Sequence, residues 1–392
     1  MIAEFGYVRV GAAVPVVRAA DIDGNLDSLL GLAADARAAG CDLVVFPELC
    51  LSGYTCADLF QQRALLTAAQ RSLERFLTAT ADSLCLFVLG LPLQQDGLLF
   101  NVAAVTQAGH LLGMVPKTYI PGHKEYYEPR WFASADARTR DTVQVCGLEV
   151  PFGNDLLFRD GHVPDYCFAV EICEDLWAPI PPSSRLTLAG ATLIVNASAS
   201  NDLAAKAEYR RQLLQRQSAA CLAAYAYAGS GPGESTTDLV FGGHAVVAEN
   251  GVLLAESERF GRGQTLTVAD VDLDFIGHER LHNSTYRQAV ARETGTAAPR
   301  TVRFEAAYEE SWQDLQRPVN AHPFIPPPGR GRRGPRRGAV GVGPGKILGG
   351  ATDHDGGVPD QQPADDAVHS APRQPSRGPH GCAQPVGIHL HG

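Results

Sequence analysis

No apolar run in the 392 residues approaches the roughly 18 that a membrane-spanning helix needs. The opening MIAEFGYVRVGAAVPV lacks the basic stretch and apolar core of a signal peptide. The nine cysteines include no CxxC pair and follow no regular spacing. That argues against a disulfide framework and a structural zinc site, and for a reducing, cytoplasmic setting with most cysteines as small core residues. Positive charge is short: 33 Lys and Arg stand against 43 Asp and Glu, a net −10, which makes a nucleic-acid partner for the whole chain unexpected. There is no internal repeat and no G-x-S-x-G, so a serine hydrolase is not indicated. With 45% hydrophobic residues, the length allows one large α/β domain with an appendage, or two ordinary domains.

Composition changes sharply near residue 318. Pro318–Gly392 holds 13 of the 26 prolines and 15 of the 40 glycines, no Glu, Tyr or Trp, and one Phe, Phe324. Such a stretch cannot bury enough apolar surface to offset chain entropy, so it is expected to be disordered. The arginines of GRGRRGPRRG (329–338) read as a solvated tail rather than a nucleic-acid patch.

Before that break, strand and helix signals alternate. Tyr7–Val14 reads as a buried strand. Asn25 is placed to cap a helix whose apolar positions Leu26, Leu29, Leu30 and Ala33 repeat at helical spacing. Strands are expected at DLVVF (42–46), LCLFVLG (84–90), YCFAVEIC (166–173) and ATLIVNAS (191–198), and helices over Leu65–Ala81 and Leu203–Ala228. Two hairpins are expected, 101–117 around Gly109 and 238–257 around Asn250-Gly251. Strands that follow helices and strands in hairpins together predict mixed sheets, helix-covered on one face with a second apolar face left to pack elsewhere.

Three strand ends carry reactive side chains. In VVFPELCLSGY (44–54), Glu48 follows an apolar strand, where burial would lift a carboxyl toward the range of a general base; a Glu on an exposed loop is the plainer alternative. In GMVPKTYIPGHKEYYEP (113–129), Lys117 could neutralise a carboxylate or an oxyanion, or be an ordinary surface lysine. In FAVEICEDLWAP (168–179), Cys173 sits where a strand yields to a helix start, whose N–H groups favour a thiolate. A core cysteine is the alternative there.

Taken together, PEL after a VVF strand, VPKTYIP and EICEDLW resemble the Glu-Lys-Cys set of the nitrilase, or carbon–nitrogen hydrolase, superfamily. FPELCLSGYTCADLF, VPKTYIPGHKEYYEPRWF, NASASN and AAYAYAGSGPGESTTDLVFGG resemble, more narrowly, the amino-terminal glutaminase domain of glutamine-dependent NAD⁺ synthetases, over roughly residues 1–325. The resemblance implies an α-β-β-α sandwich of two mixed sheets. It implies Cys173 as nucleophile, Glu48 as general base and Lys117 as oxyanion stabiliser, with Glu125 as a second carboxylate orienting the lysine. Tyr54 would line the glutamine pocket and Ser200 would hold the amino-acid end of the substrate. His123 stands where a substrate-contacting Tyr is usual. Lys206 stands where an Arg gripping the α-carboxylate is usual, which keeps the charge and loses the bidentate fork.

The implied organisation is a hydrolase domain over 1–290, a linker over 291–326 toward a missing synthetase domain, and the tail over 327–392. No SGG or GLDS marks a pyrophosphate loop, and GVGPGKIL has Ile347 where a P-loop needs Ser or Thr. The break reads as a reading-frame shift, with a genuine tail on a stand-alone amidase as the alternative. No cofactor is expected for glutamine hydrolysis; ATP, Mg²⁺ and deamido-NAD⁺ would belong to the synthetase domain. L-glutamine and a second copy of the chain are the expected partners, with no membrane or nucleic acid.

Overall fold

The computed structural model describes residues 6–293, 298–306 and 314–317. The expected tail over 327–392 and much of the expected linker lie outside them. Two mixed sheets form the centre. The first has β14 (Thr265–Asp272), β1 (Tyr7–Val14), β2 (Leu43–Val45), β3 (Leu86–Gln95), β4 (Leu98–Gln107) and β5 (His110–Pro116), in that order. The second runs β13 (Val252–Glu256), β12 (Ala245–Glu249), β11 (Ala224–Gly229), β10 (Leu193–Ser198), β9 (Cys167–Ile172), β8 (Leu156–Asp160) and β15 (Arg300–Phe304). In each sheet the central strands are parallel and a hairpin extends one edge, while strands from late in the chain, β14 and β15, close the other. A two-stranded ribbon, β6 (Thr142–Val145) with β7 (Leu148–Pro151), forms a separate small sheet whose Val143, Val145 and Val150 pack against the first.

Alternation along the strands explains the layering. Val8, Val10, Leu43, Val45, Leu86 and Val88 of one sheet meet Phe168, Val170, Leu193, Val195, Ala226 and Val247 of the other in one buried layer. The opposite faces are apolar as well. Val44, Phe87 and Leu89 pack under α1 (Ile22–Ala38) and α2 (Arg63–Ala79). Ile194 and Tyr225 pack with residues of α3 (Pro182–Leu188) and α4 (Lys206–Cys221). The result is the expected α-β-β-α sandwich. Helix α2 buries Leu65, Ala69, Leu73, Phe76 and Leu77, an i, i+4 stripe, and each fully buried leucine contributes about 1.5–3 kcal/mol.

Three expectations are corrected. Asp21, not Asn25, caps α1 by accepting from the Gly24 N–H at 3.3 Å. Asn25 instead bonds both backbone groups of Arg18 and reaches Leu51 O at 3.1 Å. The long helix expected over 203–228 ends at Cys221, where Leu222 turns left-handed (φ 45°), and AYAYAG becomes β11. Alanine favours helix in isolation, but Ala224 and Ala226 face the other sheet while Tyr225 faces the helices, and tertiary burial decides. The described part of 291–326 is not connecting chain alone. Arg300–Phe304 pairs in parallel with β8, buries Phe304, and so belongs to the second sheet. Arg317 then forms a forked pair with Glu249.

Candidate active site

The carboxyl ends of β2, β5 and β9 converge, and each delivers one reactive side chain. After β2 the backbone passes tightly over β3. Leu49 is left-handed (φ 52°), and a Cβ on Gly90 would lie 2.1 Å from the Leu49 nitrogen, so only glycine fits there. This close approach turns the Glu48 side chain inward, where it is fully buried. Its Oε1 accepts from Lys117 Nζ at 2.6 Å and Asn101 Nδ2 at 2.6 Å, and its Oε2 accepts from the Ala199 N–H at 2.9 Å.

Lys117 follows β5 and is also fully buried. Its ammonium reaches Glu128 Oε1 at 2.7 Å, an oxygen that the Tyr54 hydroxyl also approaches at 2.7 Å. Burial pulls the Lys117 ammonium toward neutrality, but Glu128 and Glu48 outweigh it and hold it well above the usual lysine range. Burial lifts the Glu128 carboxyl, against the pull of Lys117.

Cys173 follows β9 and starts a short 3-10 turn, Cys173–Trp177. Its φ of 45° is a strained value for a side chain with a Cβ. The Asn196 side chain anchors this elbow, accepting from the Cys173 N–H at 3.1 Å. Burial pushes the Cys173 thiol far up, with Glu48 adding to the rise; Lys117 and the Ser198 hydroxyl pull the other way. On balance the surroundings favour the protonated sulfur.

A model of the carbon-nitrogen hydrolase family matches residues 8–280, well over half of the chain. The chain belongs to this family. It is similar to glutamine-dependent NAD⁺ synthetases of Mycobacterium tuberculosis (42% identical over 325 residues) and Mycobacterium leprae (40% over 322), in both cases over 82% of this chain. The hydrolase spans about half the length of these curated relatives, 48% and 47%. Among solved structures, a glutamine-dependent NAD⁺ synthetase from Cytophaga hutchinsonii matches with a TM-score of 0.60 at 26% identity, over 67% of this chain and 43% of that one. A nitrilase-superfamily amidase from Nesterenkonia shares the fold, with a TM-score of 0.54 at 20% identity over 72% of this chain and 96% of its own.

The remaining expected residues separate into those the hydrolase brings to the site and those it does not. Glu125 does not orient Lys117. That place is taken by Glu128, while Glu125 accepts from the Asn201 carboxamide. Two glutamates follow the lysine closely, and spacing alone could not choose between them. Glu128 lies at the start of a short turn, Glu128–Arg130, and is buried; Glu125 is partly exposed. His123 is exposed, its ring 6.3 Å from that of Tyr126. The buried aromatic of this loop is Tyr126, whose hydroxyl donates to Asn201 Oδ1 at 2.8 Å and which lies in the field of Cys173. Tyr54 is buried beside Glu128 and Phe241. Ser200 is buried next to Ser198. Lys206 opens α4, bonds Asn201 Oδ1, and lies 5.2 Å from the Trp177 ring centre and 5.8 Å from that of Tyr126. Burial lowers its pKa, with Cys173 as the main opposing influence.

Sequence reasoning missed Asn101, Asn196 and the function of Asp175. The Asp175 carboxylate accepts from the Ile172 N–H at 2.9 Å, the Thr118 N–H at 3.1 Å and the Tyr119 N–H at 2.8 Å. It thus ties the residue before Cys173 to the two after Lys117. Burial lifts its pKa to about 8. No helix among the described residues is long and apolar enough to cross a membrane.

Proposed function

We propose that this hydrolase is the glutaminase part of a glutamine-dependent NAD⁺ synthetase, converting L-glutamine and water to glutamate and ammonia. The observation that carries the chemistry is the fully buried Lys117 ammonium between Glu48 and Glu128, beside a cysteine held at a strained elbow. The similarity to the mycobacterial synthetases over 325 residues supports glutamine as the amide.

In this reading Glu48 takes the Cys173 proton as the sulfur bonds the side-chain amide carbon of glutamine. Lys117 and a backbone N–H after Cys173 hold the oxyanion. The intermediate collapses as the C–N bond breaks, and Glu48 returns the proton to the departing nitrogen, which leaves as ammonia. Water, deprotonated by Glu48, then attacks the γ-glutamyl thioester. The C–S bond breaks and the proton returns to Cys173. Glu128 Oε2 and Asn101 Oδ1 are buried acceptors with no donor among the described residues, which suits an incoming carboxamide N–H. Tyr54, Tyr126, Ser200 and Lys206 would frame the substrate, Lys206 as a point charge toward its carboxylate.

The ammonia would amidate deamido-NAD⁺, with ATP and Mg²⁺ acting at the half of the relatives this chain does not match. Self-association belongs to the same proposal and is read by light scattering. A stand-alone amidase acting on another amide is the second reading, favoured by the 96% coverage of the Nesterenkonia amidase. The test is kcat/KM for L-glutamine against simple aliphatic amides. A preference for glutamine is expected, and efficient hydrolysis of aliphatic amides with no turnover of glutamine would establish the second reading.

A further inference from the structure

The segment Ser200–Asn201–Asp202 has no regular structure, yet all three residues are buried. Buried irregular backbone needs partners for its carbonyls, and most of these come from one side chain. Arg210, four residues along α4 from Lys206 and 1% exposed, donates from Nη2 to Asn201 O at 2.8 Å and, at a longer 3.5 Å, to Ser200 O. Its Nη1 reaches Asp202 Oδ1 at 3.5 Å and His244 Nδ1 at 3.0 Å. Gly242 closes the far side, where a Cβ would lie 1.7 Å from Asp202 Oδ2.

The Arg210 contact fixes the state of His244. A guanidinium has donors only, so Nδ1 must present its lone pair and the ring proton must sit on Nε2. Nε2 lies 2.7 Å from Glu256 Oε1, a matching acceptor. Glu256 is held in turn by the forked guanidinium of Arg211. The chain of contacts therefore runs from the partly exposed Arg211–Glu256 pair, through a buried neutral imidazole, to a buried guanidinium that grips two backbone carbonyls.

Those carbonyls belong to the residues facing the site. Asn201 is the hub that bonds Tyr126, Lys206 and Glu125, and Ser200 lies beside Ser198, which touches Cys173. Arg210 and His244 themselves make no contact with Glu48, Lys117 or Glu128.

We propose that Arg210 and His244 are positioning residues that set the affinity for the amino-acid end of the amide substrate, independently of the chemistry at Cys173. This rests on the glutaminase reading, because it requires a substrate with an α-amino and α-carboxylate end to be held near Ser200, Asn201 and Lys206.

The test uses the full chain and three measurements: KM and kcat for L-glutamine, and the rate of Cys173 alkylation by iodoacetamide, read by peptide mass. Iodoacetamide carries an amide but no amino-acid end. His244→Phe keeps the ring shape and removes the acceptor for Arg210. It is expected to raise the glutamine KM about tenfold or more, the loss of roughly one charged hydrogen bond, with kcat and alkylation nearly unchanged. His244→Asn, which can again accept from Arg210, is expected to recover most of the affinity. An unchanged KM in His244→Phe, a parallel loss in alkylation, or no recovery in His244→Asn would overturn the proposal. Should His244→Phe fail to fold, Arg210→Lys serves instead, since it keeps the charge but cannot span Asn201 O and His244; an unchanged KM there overturns the proposal equally. A wild-type chain that alkylates at Cys173 yet never hydrolyses glutamine would sink the glutaminase reading itself, and the proposal with it. That outcome is distinct from an active wild type with unresponsive variants.

Discussion

Replacing Asp175 by Asn tests whether a single carboxylate keeps the lysine loop and the cysteine elbow in register. The substitution is isosteric, so packing is preserved and only acceptor count changes. Asp175 Oδ2 serves the Ile172 N–H, and Oδ1 serves those of Thr118 and Tyr119. An asparagine keeps one oxygen. If that oxygen stays with Thr118 and Tyr119, its NH₂ faces the Ile172 N–H, and a buried donor is left unpaired at about 1–3 kcal/mol. If the amide flips, the Lys117 side is released instead. Either way one element can drift, and a displacement near 1 Å at reacting groups lowers rates by about 10²-fold. We expect Asp175→Asn to reduce kcat/KM for glutamine by roughly 10- to 100-fold and the melting temperature by about 2–8 °C. Ammonia release read through reductive amination of 2-oxoglutarate gives the first, and differential scanning fluorimetry the second. Wild-type turnover and melting in Asp175→Asn would refute the reasoning. A lowered melting temperature with intact kcat would mean that Asp175 serves stability alone.

Cys173→Ala is expected to abolish ammonia release, while Cys50→Ala and Cys221→Ala, at buried thiols that meet Gly90 and Gln217, keep most of it; retention in Cys173→Ala would exclude it as nucleophile. Glu128→Gln removes one of two carboxylates from a buried ammonium and is expected to cut kcat by about 10²-fold or more, whereas Glu125→Gln changes mainly KM; equal effects would return Glu125 to the lysine. Stability is expected to fall from pH 6 to pH 8.5, because burial raises Asp42 to about 7 and Glu234 to about 7. Between the unfolded carboxyl range near 4 and those values the folded chain binds more protons than the unfolded one, so the stabilisation present at low pH is lost as pH rises; a melting temperature rising steadily from pH 6 to pH 8.5 would contradict this.

The sequence showed those parts of the fold whose local pattern and tertiary role agree. Tyr7–Val14 is mostly apolar because it lies between a helix layer and a second sheet, and its single charge, Arg9, is buried against Asp270. The Asn250-Gly251 hairpin was visible because both residues need positive φ, and they have 44° and 82°. The AYAYAG strand was hidden, since nothing local distinguishes it from the alanine-rich helix before it until both of its faces are covered. The strand at Arg300–Phe304 was hidden by its charged outer positions, which suit an edge strand and also suit a linker.

The site divides along the same line. Glu48, Lys117 and Cys173 each follow an apolar strand, and a polar group in that place is conspicuous in one dimension. Glu128 and Asp175 carry comparable weight in the geometry but sit in short turns among other polar residues, and Asn101 lies within the apolar strand β4 rather than at its end. Their importance comes from what lies across from them: an ammonium brought from β5, a carboxylate from β2, two N–H groups from a loop 56 and 57 residues earlier. Those partners meet only when the sheets stack. A buried lysine also cannot stand on one carboxylate and a dry surrounding without large desolvation loss, so the very depth of Lys117 requires a second acid and a fixed loop. The residues that the chain pattern left unmarked are therefore those that make the marked ones tolerable in the interior, and variants at Glu128 and Asp175 should reveal whether the Glu48–Lys117–Cys173 arrangement can be held together without them.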